Sequence, residues 1–368
     1  MIYLDNAATT PVKPEVLDVI MNTMKACWGN PSAAYDFGLQ ARRIIEDARI
    51  IIADSINAHP EEIIFTSGAS EANALAIDGY LHDEDACFIT SAIEHSSILL
   101  RGADFLCPVS IYGTINIAEL RRVLENYCYY DESLISVQAA NNEIGTINNI
   151  AELSNIVHQH NCIFHTDATQ YFPYYKIDVQ AMGIDMMSVS GHKFGCPKGI
   201  GFLYVKKGVN LSPIIYGTQN NGLRGGTENV PYIAGLAKAV ELLDYSEEKE
   251  LRKKRDYCLD KIRNINYHNS ILLNGDSRNV LPNIINVRIT DVDAQMLIAL
   301  LDLNGICVSA GSACSSYSAK PSHVLKAIGL SDKEAKECIR ISLSNDTTYE
   351  EIDKFIEVLQ MVLTQFLS

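Results

Sequence analysis

The sequence is short of basic residues. Lysine and arginine number 30 against 45 aspartates and glutamates, so the formal net charge is −15 and the pI is near 5.0. Proteins that bind nucleic acids neutralise phosphates with clustered lysine and arginine, and no such basic stripe stands out here. We therefore expect no nucleic-acid partner, and we interpret the acidic excess as a solvated exterior that keeps the protein soluble.

Segments that would carry the chain to or across a membrane are also lacking. The N-terminus, MIYLDNAATT, has neither the basic nor the long apolar region of a signal peptide, and no apolar run reaches the roughly 20 residues of a membrane span. The ten cysteines are scattered without C-x-x-C pairs, which argues against a structural zinc site and a secreted disulfide framework. We expect a cytoplasmic enzyme with no metal centre and no membrane contact, whose cysteines are mostly buried in a reducing compartment.

Short apolar runs, which predict strands, alternate with amphipathic stretches, which predict helices. The predicted strands are EIIFTSG (62–68), ACFITS (86–91), LISVQAAN (134–141), CIFHTDA (162–168) and DMMSVSG (185–191). Apolar residues at i, i+3 and i+4 predict helices over 39–57, 71–81 and 150–160. This alternation indicates an α/β protein whose mostly parallel sheet is covered on both faces. Ligands of such sheets bind at the carboxyl ends of the strands.

The composition changes near residue 245. A chain of 368 residues is too long for one simple core, so two domains are expected. Residues 244–264 are charged and predict a connecting helix, and a final amphipathic helix begins near Tyr349. Between them lie the predicted strands NIINVRI (283–289), ICVSA (306–310) and IRISLS (339–344), which indicate a smaller α+β domain. In the first part, GIGF (199–202) is a glycine pair without a phosphate-binding motif around it.

The segment SVSGHKFGCPKG (188–199) places Lys193 where a buried strand ends. Lysine is among the residues least often buried, and two interpretations are open. Either the side chain reaches water along its apolar stem, or it lies in a partly dry pocket. In such a pocket an amine loses its charge more readily and becomes the nucleophile that Schiff-base enzymes require.

Polar residues follow several of the other predicted strands. FTSGASEAN (65–73) is a strand, a turn of small residues and a helix start, which binds an anion or is simply a capping box with Glu71. Asp167 ends an apolar strand, and a buried carboxylate needs a cation, either a protonated pyridine nitrogen or a surface lysine. His95 and Asn142 also follow strands. A structural histidine and a turn-forming asparagine are the alternatives there.

Two candidates lie in the C-terminal part. The guanidinium of Arg340 suits a substrate carboxylate, although an ordinary ion pair explains it equally well. Cys314 lies in VSAGSACSSYSAKPS (308–322), whose small polar residues predict a surface loop. Because exposed thiols are vulnerable and usually avoided, we interpret Cys314 as reactive. Cys307, seven residues earlier, is expected to be buried and inert.

Together these segments resemble the cysteine desulfurases, pyridoxal phosphate (PLP) enzymes of the class V aminotransferase group. The similarity runs through nearly the whole chain in one order: YLDNAATTP (3–11), GNPSA (29–33), TSGASEAN (66–73), SAIEHSSIL (91–99), NNEIGT (141–146), HTDATQ (165–170), SGHKFGCPKGIG (190–201), LRGGTENV (223–230), LPNIINV (281–287), SAGSACSS (309–316) and RISLS (340–344). Two segments depart from the family pattern. Asn220 and Asn221 replace a usual Glu-Arg pair, and Tyr35 stands where many relatives have a histidine.

The resemblance implies a role for each candidate. Lys193 would form the internal Schiff base, and Asp167 would keep the pyridine nitrogen of PLP protonated. His95 would stack on the ring and assist proton transfers, and Cys314 would accept the sulfur. The phosphate of PLP would be held by Ala69, Ser70, Ser190 and His192, joined by Thr227 from a neighbouring subunit. Gln170 and Asn142 would contact the phenolic oxygen side of the cofactor. Arg340 and Asn142 would bind the substrate.

The resemblance also implies a reaction and an assembly. L-cysteine would give L-alanine and a Cys314 persulfide for a sulfur-acceptor protein in iron–sulfur or thiolation pathways, and the Cys314–Pro321 loop has the length of the longer-loop branch. The implied fold is PLP fold type I, a homodimer with a mainly parallel seven-stranded sheet in a large domain (15–245) and a small domain (1–14 and 246–368). A selenocysteine or cystine lyase is one alternative, but such lyases can act without a persulfide-forming thiol. A small-amino-acid aminotransferase is another, and it leaves Cys314 without a purpose. A binding or regulatory protein that has kept the fold and lost the chemistry is the non-enzyme alternative, against which the set of Lys193, Asp167, His95 and Cys314 argues.

Overall fold

The computed structural model describes residues 1–81, 86–128, 133–267, 270–311 and 321–365. The predicted sulfur acceptor, Cys314, lies outside these residues. The helices are α1 (Pro14–Ala26), α2 (Asp36–Ser55), α3 (Ala69–Asp78), α4 (Ser96–Leu99), α5 (Ile117–Tyr127), α6 (Ile150–His158), α7 (Val230–Glu241), α8 (Glu248–Arg263), α9 (Ala294–Leu303), α10 (His323–Ala327), α11 (Asp332–Ala335) and α12 (Tyr349–Gln365). The strands are β1 (Ile2–Tyr3), β2 (Ile63–Thr66), β3 (Cys87–Ser91), β4 (Phe105–Cys107), β5 (Ser133–Ser136), β6 (Ile163–Asp167), β7 (Met186–Ser190), β8 (Gly201–Val205), β9 (Ile271–Leu273), β10 (Ile284–Ile289), β11 (Ile306–Cys307) and β12 (Cys338–Ser342).

Seven strands form the main sheet, in the order β2-β8-β7-β6-β5-β3-β4. Neighbours from β7 to β4 are parallel, and β8 is antiparallel to both β7 and β2. The predicted α/β fold with a mainly parallel seven-stranded sheet is therefore confirmed. The strand GFLYV, which begins inside GIGF, is the antiparallel member, and the sequence pattern did not predict it.

Both faces of this sheet are covered because consecutive strand residues point to opposite sides. Along β2, β3 and β5, successive apolar residues alternate between two hydrophobic clusters: Ile64, Phe88 and Leu134 belong to one, and Phe65, Ile89 and Ile135 to the other. Helix α3 packs on β7 and β8, while α1 and α2 pack against α7. Every residue of β2, β3, β5, β7 and β8 is consequently buried, as expected for a sheet covered on both faces.

The C-terminal part builds a second sheet of β12, β10 and β9, all antiparallel, beside the short parallel pair of β1 and β11. Leu4 and residues between 251 and 363 form a separate hydrophobic cluster there, to which α8, α9 and α12 contribute. The division of the chain into domains at residue 245 stays a prediction. Within the described ranges, the structure contains no helix with the length and apolar character of a membrane span.

The strand directions decide where polar side chains meet. Strands β2 and β7 are both antiparallel to β8 and hence parallel to each other, so their carboxyl ends lie at the same sheet edge as those of β3, β5 and β6. The ends of these five strands and the segments after them carry most of the predicted site residues. The sheet therefore brings together at one edge site residues that lie more than 120 positions apart in the sequence.

Candidate active site

A cavity of about 400 Å³ opens at this edge of the sheet. Its lining includes residues from both the main sheet and the C-terminal part of the chain. The predicted site residues that the structure brings together there are Ala69, Ser70, His95, Asn142, Asp167, Gln170, Ser190, His192, Lys193 and Arg340.

Lys193 ends a short 3-10 turn (Gly191–Lys193) that follows β7 directly. Its Nζ donates hydrogen bonds of 2.8 Å to the carbonyl oxygens of both Ala7 and Ala8, which also line the cavity. The side chain is only partly exposed. The N-terminal segment thus holds the amine at the cavity wall, and the role of Lys193 as a nucleophile stays a prediction.

Asp167 is the last residue of β6 and is 8% exposed. Its carboxylate accepts hydrogen bonds from Asn73 Nδ2 at 2.8 Å and from the Thr169 N–H at 3.0 Å. Both donors are neutral, so neither supplies the positive charge that a buried carboxylate favours. The carboxylate thus suits a ligand that brings a cationic N–H into the cavity.

His95 precedes α4 and caps its N-terminus: Nδ1 accepts from the Ser97 N–H at 3.2 Å and lies 2.8 Å from Ser97 Oγ. Burial lowers the pKa of His95 below its ordinary value, since water stabilises the imidazolium less well inside the protein. The nearby charge of Lys193 lowers it further, while Asp167 opposes the shift. His95 is therefore neutral at pH 7.

The start of α3 forms a cradle for an anion. Gly68, the N-cap, has no side chain to cap the helix, so the first N–H groups of α3 are left for a ligand beside Ser190. Burial, together with the charges of Lys193 and Lys198, lowers the pKa of His192 to about 4. His192 is thus a neutral hydrogen-bonding group on the same wall.

Close backbone contact shapes this cradle. A Cβ on Gly201, the first residue of β8, would overlap the carbonyl oxygen of Val189 and lie 2.8 Å from Gly68 Cα. Gly68 itself has φ +148°, which L side chains rarely adopt. Glycine at both positions allows the turn before α3 to lie against β8 at the cavity.

Arg340, in the middle of β12, is 1% exposed. One guanidinium NH₂ group forms an ion pair with Asp5 at 2.7 Å, and the other donates to the Asn142 carbonyl oxygen at 2.7 Å. Among the described residues, Nε has no hydrogen-bond partner. A buried donor without a partner costs free energy, which an incoming carboxylate would recover.

Thr227 is the described candidate that the structure does not bring to the cavity. It is exposed, and it lies in the glycine-rich segment that the Arg224–Glu71 ion pair (2.8 Å) ties to α3. In the same segment Asn220 is buried, and its Oδ1 accepts from the Phe65 N–H at 3.3 Å. Asn220 and Asn221 both have positive φ, which asparagine tolerates better than most residues. Asparagine therefore suits the backbone at both positions.

Sequence reasoning missed Asn73, Asp5 and Lys198. Asn73 holds Asp167, Asp5 holds Arg340, and Lys198 lines the cavity. All three lie within the motifs TSGASEAN, YLDNAATTP and SGHKFGCPKGIG, but nothing local distinguishes them from their neighbours. Cys307, expected to be buried, is only partly so; burial above all raises the pKa of its thiol, and Asp302 and Asp5 add to this effect.

Comparison with known proteins extends over almost the entire chain. The family described as Aminotransferase class-V matches residues 2–355. The chain is 40% identical to the cysteine desulfurase IscS of Dictyoglomus turgidum over 378 aligned positions, covering 98% of this chain and 94% of that protein. It is 39% identical to the cysteine desulfurase IscS of Methanosarcina thermophila, covering 98% and 92%.

Solved structures show the same similarity. A NifS-like protein from Rickettsia africae superposes with a TM-score of 0.91 at 33% identity, covering 99% of both chains. SspA, solved in complex with cysteine, superposes with a TM-score of 0.82 at 37% identity, covering 95% of this chain and all of that one.

Proposed function

Because this chain belongs to the class-V aminotransferase family and, within it, to the cysteine desulfurases, we propose that it removes sulfur from L-cysteine with PLP as cofactor. The products are L-alanine and a persulfide on Cys314. The observation that carries this proposal is the convergence of Lys193, Asp167, His95 and Arg340 on one cavity. They are separated in sequence, and each supplies a different part of the chemistry.

The cavity fits PLP at three points. The uncapped start of α3, with Ser70, Ser190 and His192, would hold the phosphate. Asp167 would receive the pyridine N–H, and Lys193 would hold the cofactor covalently through its amine. When bound, PLP supplies an electron sink that weakens the bonds at the substrate Cα. His95 lines the same cavity and would pack against the ring, while Gln170 and Asn142 would bound its other edge.

The substrate is placed by its carboxylate. Arg340 offers the unpartnered Nε–H, and its guanidinium is held in one orientation by Asp5 and by the Asn142 carbonyl. The Cys314 thiolate attacks the substrate sulfur. A sulfur–sulfur bond forms, the carbon–sulfur bond breaks, and its electron pair takes up a proton at Cβ, so that alanine remains. In sum, the enzyme thiol and L-cysteine give the enzyme persulfide and L-alanine.

The test is alanine release from L-cysteine by the PLP-loaded protein under reducing conditions. We expect alanine and sulfide in equal amounts. Cys314→Ala should retain the visible absorption of the bound cofactor and lose alanine formation, whereas Cys307→Ala should retain both, because burial keeps the Cys307 thiol protonated. A Cys314→Ala protein that releases alanine at the normal rate would contradict the role assigned to that thiol.

We further propose a cytoplasmic homodimer in which Thr227 completes the phosphate site of the partner subunit. Its exposure, and its position outside the cavity of its own chain, support this arrangement. Mixing inactive Lys193→Ala and Thr227→Ala subunits tests it. If Thr227 acts across the interface, a mixed dimer has one intact site and regains activity; if it acts within its own chain, both sites stay defective. We also propose that the sulfur passes from Cys314 to an acceptor protein of iron–sulfur or thiolation pathways.

A further inference from the structure

Asn73, on α3, connects two groups of the cavity, Asp167 at the end of β6 and His95 at the start of α4. It is completely buried. Its Nδ2 donates to Asp167 Oδ2 at 2.8 Å and to Ser97 Oγ at 2.9 Å, and Ser97 Oγ lies 2.8 Å from His95 Nδ1. An unbroken series of hydrogen bonds thus runs from Asp167 through Asn73 and Ser97 to His95.

The direction of each hydrogen bond follows from the groups involved. Carboxylate oxygens accept, so the amide of Asn73 must present its NH₂ to Asp167; the reversed amide would place two acceptors 2.8 Å apart. This orientation leaves Asn73 Oδ1 buried without a hydrogen-bond partner in the described part of the chain. A buried acceptor in that state costs free energy. The amide orientation therefore depends on contact with Asp167, which outweighs that cost.

The far end of the series determines the protonation of His95. The Ser97 backbone N–H can only donate, so Nδ1 must be an acceptor. Ser97 Oγ already accepts a hydrogen bond from Asn73 and donates its own hydroxyl hydrogen to the same Nδ1. With Nδ1 occupied by two donors, the proton of neutral His95 resides on Nε2. His95 consequently meets a bound molecule as an N–H donor.

We propose that Asn73 is a positioning residue that joins Asp167 to His95 through Ser97, holding the carboxylate toward the cavity and His95 in the Nε2–H tautomer. The inference rests on the proposed function in that Asp167 and His95 are the groups that meet the cofactor ring. It adds that Asp167 and His95 are coupled, because a substitution at Asn73 changes the hydrogen bonding of both.

The full-length protein with ¹⁵N-labelled histidine tests the tautomer without cofactor or substrate. The chain has nine histidines, and the signal missing from a His95→Gln sample identifies His95. We expect Nε2 protonated and Nδ1 unprotonated at pH 7.5, with a pKa below the ordinary value. The titratable groups that face His95 are Asp167, Lys193 and His323, and none of them is replaced in the variants. A protonated Nδ1 in the neutral wild-type ring would overturn the proposal.

Asn73→Leu removes both donors at nearly constant volume. Since a hydrogen bond to a charged group is lost, we expect the PLP dissociation constant to rise about tenfold to a hundredfold, and the pKa of His95 to rise. Ser97→Ala, which breaks only the second half of the series, should raise the pKa of His95 and leave the PLP dissociation constant within about threefold. It also keeps the proposal testable if Asn73→Leu does not fold.

Asn283→Leu is the matched control, because Asn283 is also fully buried and neither of its amide atoms has a partner among the described residues. It should change neither property. If Asn73→Leu behaves like Asn283→Leu, Asn73 is merely structural and the proposal is wrong. A protein that releases no alanine but shows the expected His95 signals would contradict the proposed function and leave this inference standing.

Discussion

Gly201→Ala tests how the contact between β8 and the turn before α3 supports the anion cradle. The added Cβ would overlap the Val189 carbonyl oxygen and lie 2.8 Å from Gly68 Cα and 3.1 Å from the Gly68 carbonyl carbon. All of these atoms belong to the backbone, so no side chain can rotate away. Either β8 moves from β7, with which Gly201 pairs, or the turn at Gly68 moves away from β8.

The size of the effect follows from this geometry. Ordinary contact begins near 3.4 Å, so Gly68 must retreat by about 0.6 Å (3.4 − 2.8). Overpacking of this kind costs about 1–3 kcal/mol. Gly68 precedes the first N–H groups of α3, and Val189 precedes Ser190, so movement of either one displaces a part of the cradle. Since about 1.4 kcal/mol corresponds to a factor of ten, we expect the dissociation constant of PLP to rise tenfold to a hundredfold.

The assay is a PLP titration followed by visible absorption, alongside urea unfolding of the same samples. Gly79→Ala serves as the control because its Cβ would overlap the Leu75 carbonyl oxygen and lie 2.7 Å from the Ser212 oxygen, at the other end of α3. That variant should lose comparable stability and bind PLP within about threefold of the wild type. Equal PLP affinity in Gly201→Ala and wild type would refute the reasoning.

Three further changes test other parts of the structure. Lys193→Ala should abolish the visible absorption band of the PLP-loaded protein and allow dialysis to remove the cofactor, whereas a protein that keeps the band would disprove covalent attachment there. Asp5→Ala leaves buried Arg340 without its carboxylate and should lower the free energy of unfolding in urea by about 3 kcal/mol, against less than about 1 kcal/mol for Glu357→Ala, which breaks an exposed pair with Lys354. Burial lowers the pKa of His165 to about 4, and the unfolded chain protonates at the ordinary 6.5, so stability present above pH 6.5 should fall as the pH drops toward 4. His165→Gln should reduce that slope, and equal slopes would contradict the assignment.

Much of the main sheet is predictable because its signals are local. The five strands β2, β3, β5, β6 and β7 are short, mostly apolar runs flanked by small or polar residues. Strand β5 begins at Ser133, one residue before its predicted segment, and the other four lie within theirs. The predicted run 134–141 extends beyond β5, which ends at Ser136; past it, Val137 and Ala139 still donate to β6, but the pairing with β3 has ended. The pattern reflects burial, and burial continues past the last paired residue.

Strand β8 escapes sequence-based prediction for the opposite reason. Two of the first three residues of GIGF are glycine, which weakens the strand signal. The second of them, Gly201, is explained by Gly68, more than 130 residues earlier, against which it packs. No property of the local sequence indicates such a contact.

The candidate site likewise has a part that the sequence predicts and a part that only the fold shows. Lys193, Asp167 and His95 follow predicted strands, and the resemblance of their motifs to a family implies a role for each. Their partners are visible only in the fold: Asn73 lies 94 residues from Asp167, and Asp5 lies 335 residues from Arg340. Both partners belong to motifs of the same family, yet their identity alone does not say which side chain they contact.

The amino-acid sequence alone specifies the class of the sheet, the edge at which ligands bind and the reactive groups predicted there, because apolar periodicity and short motifs are properties of neighbouring residues. How those groups are held depends on the tertiary structure: which carbonyls Lys193 contacts, which amide fixes Asp167 and which nitrogen of His95 carries the proton. The physical reason is that hydrogen bonds depend on atoms brought within about 3 Å by folding. The number of residues between two groups in the sequence does not determine that distance.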